Sequence, residues 1–262
     1  MTVKFYKYQG TGNDFVMIDN RDTRFKRDMK NEIAFLCDRK FGIGADGLIL
    51  LQEMNGYNFE MVYFNSDGSE STMCGNGGRC LIQFAHDIEL IGNQCTFWAI
   101  DGSHEGEILN NGIVSLKMKD VPHIENYENA FVLNTGSPHF VCFMNEVSKM
   151  NVVEEARKVR YSDHFTKEGI NVNFVEKKSH QEIFVRTYER GVEDETLSCG
   201  TGVVASSLAL AYKSGMSIHS VSVDTPGGTL QVRFQQAGNG YHSIYLEGPA
   251  QRVFSGEIQI NI

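Results

Sequence analysis

"SCGTGVVAS" (Ser198–Ser206) and "MCGNGGRC" (Met73–Cys80) decide how this chain is read. Each sets a cysteine directly before a Gly-x-Gly turn, and each turn runs into an apolar segment. After Cys74 the apolar residues Leu81, Phe84, Ala85 and Ile88 fall at helical spacing. After Cys199, Thr201 to Tyr212 carries no charged residue. A short helix with no charge on any face belongs inside a fold, and Gly215 offers its stop.

The two turns are 125 residues apart, and the same offset recurs elsewhere. It carries Gly75 onto Gly200, Gly77 onto Gly202, Gly102 onto Gly227, Tyr63 onto Tyr188, Gly44 onto Gly169, and Phe15-Val16 onto Phe140-Val141. Thr11-Gly12 matches Thr135-Gly136 at 124, and Pro122 matches Pro249 at 127. Nearly constant offsets over most of each half indicate a tandem duplication, with a unit far longer than a solenoid repeat.

Strand-like runs rich in β-branched and aromatic residues cover 4–8, 15–19, 48–51, 59–64, 182–188, 221–225 and 242–248. The expected fold is α/β of the α+β kind. It has two pseudo-symmetric domains, each a barrel-like, mostly antiparallel β-sheet around a central helix that begins at the cysteine. Two shorter helices, near 31–40 and 151–160, are expected to pack outside.

Composition bounds the function. The chain has 262 residues, 41% of them hydrophobic, which suits one large domain or two of ordinary size and is enough for a real core. A formal net charge of −9 lacks the basic excess that nucleic-acid binding uses. The N-terminus has no run of signal-peptide length, and no stretch approaches a membrane span. The reading is a cytoplasmic protein with its six cysteines mostly reduced. Their spacing forms no zinc pattern, and Cys37, Cys95 and Cys142 read as small buried hydrophobes.

The turns themselves carry chemistry. A helix start presents unused N–H groups and partial positive charge, so it holds a carboxylate or phosphate. A cysteine there has its thiolate stabilised. Two such devices from two domains could grip one carboxylate and flank the adjacent carbon with sulfur. A thiolate would remove a proton from one face and a thiol would return one to the other, inverting the centre. The carbanionic intermediate would be stabilised by both sets of N–H groups. Blander readings are a plain phosphate cradle, although the Gly-Lys-Ser/Thr form is absent, and a redox pair of Cys74 with Cys80.

At these residues the chain resembles the diaminopimelate epimerase family. The resemblance rests on "GTGNDFVMID" (10–19), "FGIGADGLIL" (41–50), "FNSDGSESTMCGNGGRC" (64–80), "GSPHFV" (136–141), "GINVNF" (169–174), "YERGVEDETLSCGTG" (188–202), "DTPGG" (224–228) and "EGPA" (247–250). It implies interconversion of LL- and meso-diaminopimelate, in lysine and peptidoglycan-precursor synthesis, with no cofactor and no metal. It implies an N-terminal domain of 1–118 plus 251–262, a C-terminal domain of 119–250, and an active site in the cleft between them.

By the same resemblance, Cys74 and Cys199 are the acid–base pair, and backbone N–H groups of Gly75, Asn76, Gly200 and Thr201 hold the reacting carboxylate. Asn13, Asn65, Asn171, Glu189 and Arg190 read the distal amino-acid group. Arg190 would clamp the distal carboxylate, and the oxygens of Glu189 and the asparagines would accept from the ammonium. Asn65 and Arg190 also coincide under the 125 offset. Ser137 and His139 are further candidates near the site. Only a small-molecule partner is implied, with a homodimer as in many family members.

The chain departs from the family at Ser137, where many members have Asn, and at Gly47, where some have Gln. The loop "RGVEDETLSC" is one residue longer than in many relatives. A shorter hydroxyl at position 137 leaves room for a water, and Gly47 removes a distal contact. Two competing readings stand beside this one. A proline or hydroxyproline racemase would share the fold, but Arg190 and its acidic neighbour argue for a substrate with a second charged end. A non-catalytic anion-binding module would tolerate loss of either cysteine.

Overall fold

The structure, a computed structural model, describes residues 1–215 and 219–260. Residues 261 and 262, which close the expected N-terminal domain, lie outside the described residues. The chain divides into two compact units, Met1–Leu116 with Gly248–Ile262, and Lys117–Glu247.

In chain order the first unit contains β1 (Thr2–Gly10), β2 (Asn13–Asp19), α1 (Lys30–Cys37), β3 (Gly47–Gln52), β4 (Phe59–Asn65) and β5 (Glu70–Ser71). There follow α2 (Gly75–Asp87), β6 (Gln94–Ala99), β7 (Gly102–Ile108) and β8 (Val114–Lys117). Its strands pair in the order β1-β2-β3-β4-β6-β7-β8, with β5 on β4. The β2–β3 and β4–β6 pairs are parallel and the others antiparallel.

The second unit repeats this plan. It contains β9 (Glu125–Tyr127), β10 (Ala130–Asn134), β11 (Pro138–Phe143), α3 (Val152–Arg160), β12 (Asn171–Lys177) and β13 (Glu182–Glu189). There follow β14 (Asp194–Thr196), α4 (Gly200–Ser214), β15 (Ser220–Thr225), β16 (Gly228–Ala237) and β17 (Gly240–Gly248). The order β9-β10-β11-β12-β13-β15-β16-β17, with β14 on β13, again has two parallel pairs, β11–β12 and β13–β15. The last strand, β18 (Gln251–Gln259), belongs to the first unit and pairs with β1 as β9 pairs with β10.

The central strands of each sheet, such as β2, β3 and β12, are buried on both faces. In the first unit Val16, Ile18, Leu48, Leu50, Val62 and Phe64 form one core with Ile33, Leu36 and Cys37 of α1. The alternate residues Phe15, Ile49 and Met61 face α2, where a Cβ on Gly77 would touch all three. This is strand periodicity of two, with a helix on either side. In the second unit Val152 and Ala156 of α3 pack on Phe140, Val172, Phe174 and Tyr188, while the other face turns to α4. Helix α4 is buried along most of its length and stops at Gly215 in the left-handed conformation (φ 62°), as the sequence predicts. The outer helices lie where expected, α1 being shorter than 31–40.

The ladders correct the repeat arithmetic. Phe15 stands beside Gly47, and Gly47 opposite Asn65. In the second unit His139 stands beside Asn171, and Val172 opposite Tyr188, so one further step sets Asn171 against Glu189. Phe15, Gly47 and Asn65 therefore correspond to His139, Asn171 and Glu189, each 124 residues on. The Ala99–Gly102 and Thr225–Gly228 pairs give 126 for the later strands. Gly102 thus matches Gly228 rather than Gly227, and Asn65 matches Glu189 rather than Arg190. The drift shows one residue gained before the cysteine helix and another after it.

Candidate active site

Helix α2 begins at Cys74, whose backbone is extended (φ −95°, ψ 128°). The first intrahelical bond runs from Gly78 N–H to Cys74 O at 2.7 Å, so the N–H groups of Gly75 and Asn76 are not used within the helix. The Cys74 thiol donates to Asn13 Oδ1 at 3.6 Å, and Asn76 Nδ2 reaches the same oxygen at 3.4 Å. The Asn13 amide is fixed by its other end, since Nδ2 donates to Asp46 Oδ2 at 2.7 Å. Cys74 therefore faces a hydrogen-bond acceptor.

Charges surround this turn. Arg39 bridges Asp14 and Asp46, and Lys7 pairs with Asp14 at 2.7 Å. Burial raises the Asp14 pKa, but hydrogen bonds from Arg39 and Lys7 outweigh it and hold the carboxyl at about 2. Arg79 of α2 is fully buried. Its N–H groups reach Asn76 Oδ1 (2.9 Å), Thr11 Oγ1 (3.3 Å) and Gly75 O (3.4 Å), and no carboxylate among the described residues pairs with it.

Helix α4 begins in the same way at Cys199 (φ −113°, ψ 110°), with Val203 N–H bonded to Cys199 O at 2.9 Å. The N–H groups of Gly200 and Thr201 precede that bond. Here the sulfur lies 3.5 Å from the Thr201 hydroxyl. Thr201 Oγ1 lies 3.2 Å from Ser137 Oγ, which in turn meets His139 Nε2 at 3.0 Å and accepts from Asn171 Nδ2 at 3.1 Å. Burial, assisted by the charge of Arg190, pushes the His139 pKa down to about 3, so the ring is neutral. Ser137 Oγ meets each of these protein neighbours directly.

Asn171 is buried, with Nδ2 donating to Ser137 and Pro138 O and Oδ1 accepting from Arg190 N–H at 2.8 Å. Its remaining capacity is one lone pair on Oδ1. The Arg190 guanidinium is exposed and donates to Glu168 O at 2.9 Å. The hairpin that presents Glu189 and Arg190 closes through Glu193, whose N–H bonds Glu189 O and whose carboxylate takes Arg160, Tyr161 and Tyr188. Asn65 ends β4 with an exposed side chain that no hydrogen bond ties to the Cys74 turn.

The structure thus gathers Asn13, Cys74 and Asn76 in one unit. It gathers Ser137, His139, Asn171, Arg190, Cys199 and Thr201 in the other. Sequence reasoning missed Asp46, Arg79 and Asn173. All three stood inside quoted motifs without an assigned role. Asn173 lies two residues after Asn171 on one strand, hence on the same face. At Gly47 a Cβ would stand 2.6 Å from Phe64 O and from the Tyr63 ring, so a glutamine has no room here.

The remaining thiols are structural. Burial pushes Cys37, Cys80 and Cys95 up to about 12 and raises Cys142. Cys80 is also six residues along α2 from Cys74, about 9 Å of helical rise, too far for a disulfide. That disposes of the redox pair.

Two units of one topology, each opening a buried helix at a cysteine, define a class of duplicated α/β proteins with one helix-start thiol in each half. Solved structures share the fold. A phenazine biosynthesis protein of the PhzF family from Bacillus anthracis superposes with a TM-score of 0.77 at 13% identity, over 99% of this chain and all of that one. A hydroxyproline epimerase from Agrobacterium vitis, with bound trans-4-hydroxy-L-proline, superposes at 0.70 and 13% identity, over 98% and 92%.

Sequence narrows the class. The family model for diaminopimelate epimerase matches residues 5–123 and 131–253. A diaminopimelate epimerase of Flavobacterium psychrophilum is 50% identical over 98% of this chain and 100% of its own length. One of Aquifex aeolicus is 36% identical over 98% of both. The chain belongs to the diaminopimelate epimerase family. No helix among the described residues is long and apolar enough to cross a membrane.

Proposed function

We propose that this protein epimerises LL-diaminopimelate to meso-diaminopimelate, with Cys74 and Cys199 as the acid–base pair acting on opposite faces of one carbon. Full-length relatives carrying that name support the substrate. The observation that carries the chemistry is the matched pair of helix starts, each with a cysteine ahead of N–H groups not spent inside the helix.

In this reading the N–H groups of Gly75, Asn76, Gly200 and Thr201 hold the reacting carboxylate and stabilise charge as the α-proton leaves. One sulfur takes that proton and the other returns one, so the centre inverts with no net change in composition. Positioned proton transfer supplies about 10² to 10⁴-fold, and the fixed N–H groups much of the rest. At the distal end Arg190 pairs with the carboxylate. Asn13, Asn65, Glu189 and the spare Asn171 lone pair accept from the ammonium.

The residue pair Glu189–Arg190 favours a substrate with a second charged end over the hydroxyproline bound by the fold relative. The domains that carry these roles are read as 1–118 with 251–262 and 119–250. The protein is further read as a cytoplasmic homodimer that needs no cofactor.

Cys74→Ser and Cys199→Ser are each expected to lower the rate of LL-to-meso conversion by orders of magnitude, with diaminopimelate binding retained by calorimetry. Near-normal turnover in either variant would remove the two-cysteine mechanism.

A further inference from the structure

Helix α2 carries a buried cation that no carboxylate among the described residues balances. Arg79 is fully buried, about one helical turn beyond Gly75. Its guanidinium reaches Asn76 Oδ1, Thr11 Oγ1 and Gly75 O, while its Nε has no hydrogen-bond partner among the described residues. The carboxylates of this turn and of the helix itself are committed elsewhere. Asp14 is held by Arg39 and Lys7, and Asp87, at the far end of α2, accepts from Tyr8 and Gln83. The ionisable groups whose charge bears on Arg79 are Cys80, which burial keeps as a thiol, and Cys74.

An arginine keeps its charge inside a protein. Buried without an opposite charge it costs stability, and a hydrophobic side chain of similar volume in its place is often neutral or stabilising. Packing therefore does not account for it. The second unit shows the alternative. Gly78 and Val203 each bond the cysteine carbonyl of their own helix, so Arg79 corresponds to Val204, which is buried and apolar. There Thr135, the match of Thr11, donates its hydroxyl directly to the Thr201 carbonyl at 2.9 Å.

The contacts of Arg79 point to what the charge acts on. Gly75 O and the Asn76 N–H are the two ends of one peptide group. Arg79 donates to the carbonyl end at 3.4 Å, and the N–H end is not used within the helix. That bond is long, but a full charge acts over such a distance in a dry interior. A donor on a peptide oxygen polarises the group and strengthens its N–H as a donor. The bond to Asn76 Oδ1, at 2.9 Å, holds the same residue by its side chain.

We propose that Arg79 is a positioning residue that polarises the Gly75–Asn76 peptide and makes the α2 start the stronger of the two carboxylate holders. This rests on the reading that these N–H groups take the reacting carboxylate of diaminopimelate. Through that peptide, the substrate supplies the anion that Arg79 lacks. The carboxylate carries one charge when substrate binds. It takes on more as the α-proton leaves to sulfur and the electron pair spreads into it. An interaction that grows in this way lowers the barrier more than it tightens binding.

The test compares Arg79→Met with Arg79→Lys. In Arg79→Met, kcat for LL-to-meso conversion should fall about tenfold, the scale of one hydrogen bond made with a charged group. Its KM should rise about threefold or less. Its urea midpoint should stand at or above that of the wild type, because an unbalanced buried charge has gone. Arg79→Lys returns a point charge and should keep kcat within about threefold of wild type. NMR reads the polarisation without turnover. In Arg79→Met the Gly75 carbonyl carbon and the Asn76 amide proton should both move upfield, and in Arg79→Lys much less, with Gly200 and Thr201 unmoved in both.

Wild-type kcat in Arg79→Met would overturn the proposal. So would a lowered urea midpoint with kcat reduced alike in the Met and Lys variants, which is what a packing residue gives. Unmoved Gly75 and Asn76 resonances would overturn it as well. A protein whose resonances move as expected but which does not epimerise diaminopimelate refutes the proposed function and upholds the polarised peptide. One that epimerises at the wild-type rate without the Arg79 charge does the reverse.

Discussion

Single side chains separate two kinds of legibility. Cys74 and Cys199 stand out in sequence because cysteine followed by Gly-x-Gly has few structural excuses, and a second copy removes most of those. Asn173 does not stand out, because an asparagine on a strand is informative only once its partners are known. Those partners, Phe140 O and His139, come from a neighbouring strand. Ser137 was legible as a departure but not as a link, since a hydroxyl's direction is set by what surrounds it. Gly202 makes the dependence measurable. Gly202→Ala drives a methyl into Asn173 and should cost about 1–3 kcal/mol in chemical denaturation, as overpacking does. Gly92→Ala, where a Cβ meets nothing within 4 Å, should leave stability nearly unchanged. An unchanged or raised stability of Gly202→Ala would show that the unfolded-state entropy removed with the glycine outweighs the close approach at position 202.

Among the elements, strands and inner helices were readable because their period is written in apolar residues. Register was not. A one-residue gain before the helix shifts every later match, and only the ladder pairs reveal it, as Asn65 and Glu189 show. The outer helices depend more on local signals. Helix α3 starts at Asn151, whose side chain accepts from Glu154 N–H at 3.3 Å and caps the first turn. Acidic residues lie in that first turn and basic ones in the last, as the helix dipole favours. Asn151→Ala should cost about 1 kcal/mol of stability in urea titration, and Asn151→Asp should cost much less. Helix α1 has no such cap, so an alanine at Met29 should not produce a loss through capping.

For the molecule as a whole, the charges that steady the first turn also set its acid limit. Asp14 carries a folded pKa of about 2 against an ordinary 3.8, because Arg39 and Lys7 overcome its burial. A depressed carboxylate contributes its full stability above the unfolded pKa and loses it as pH falls through the folded one. The contribution should therefore fade between about pH 4 and pH 2. Asp14→Asn should flatten that part of the stability profile and lower stability near neutrality; an unchanged profile would mean that the ion cluster contributes nothing net. The fold was legible at this scale because duplication doubles every signal. The distal half of the site was less so, because Glu189 and Arg190 depend on a hairpin closed by Glu193, whose carboxylate is held by Arg160 and Tyr188 from elements the motif does not show.

The central claim is that this chain inverts one carbon of diaminopimelate by proton transfer at two thiols. Proton NMR in D₂O tests it most directly, with reduced, pyridoxal-phosphate-free protein offered LL-diaminopimelate and, separately, L-proline. The account predicts loss of the α-proton signal with appearance of the meso isomer for diaminopimelate alone. No exchange with diaminopimelate, in folded protein whose thiols are reduced, would contradict it.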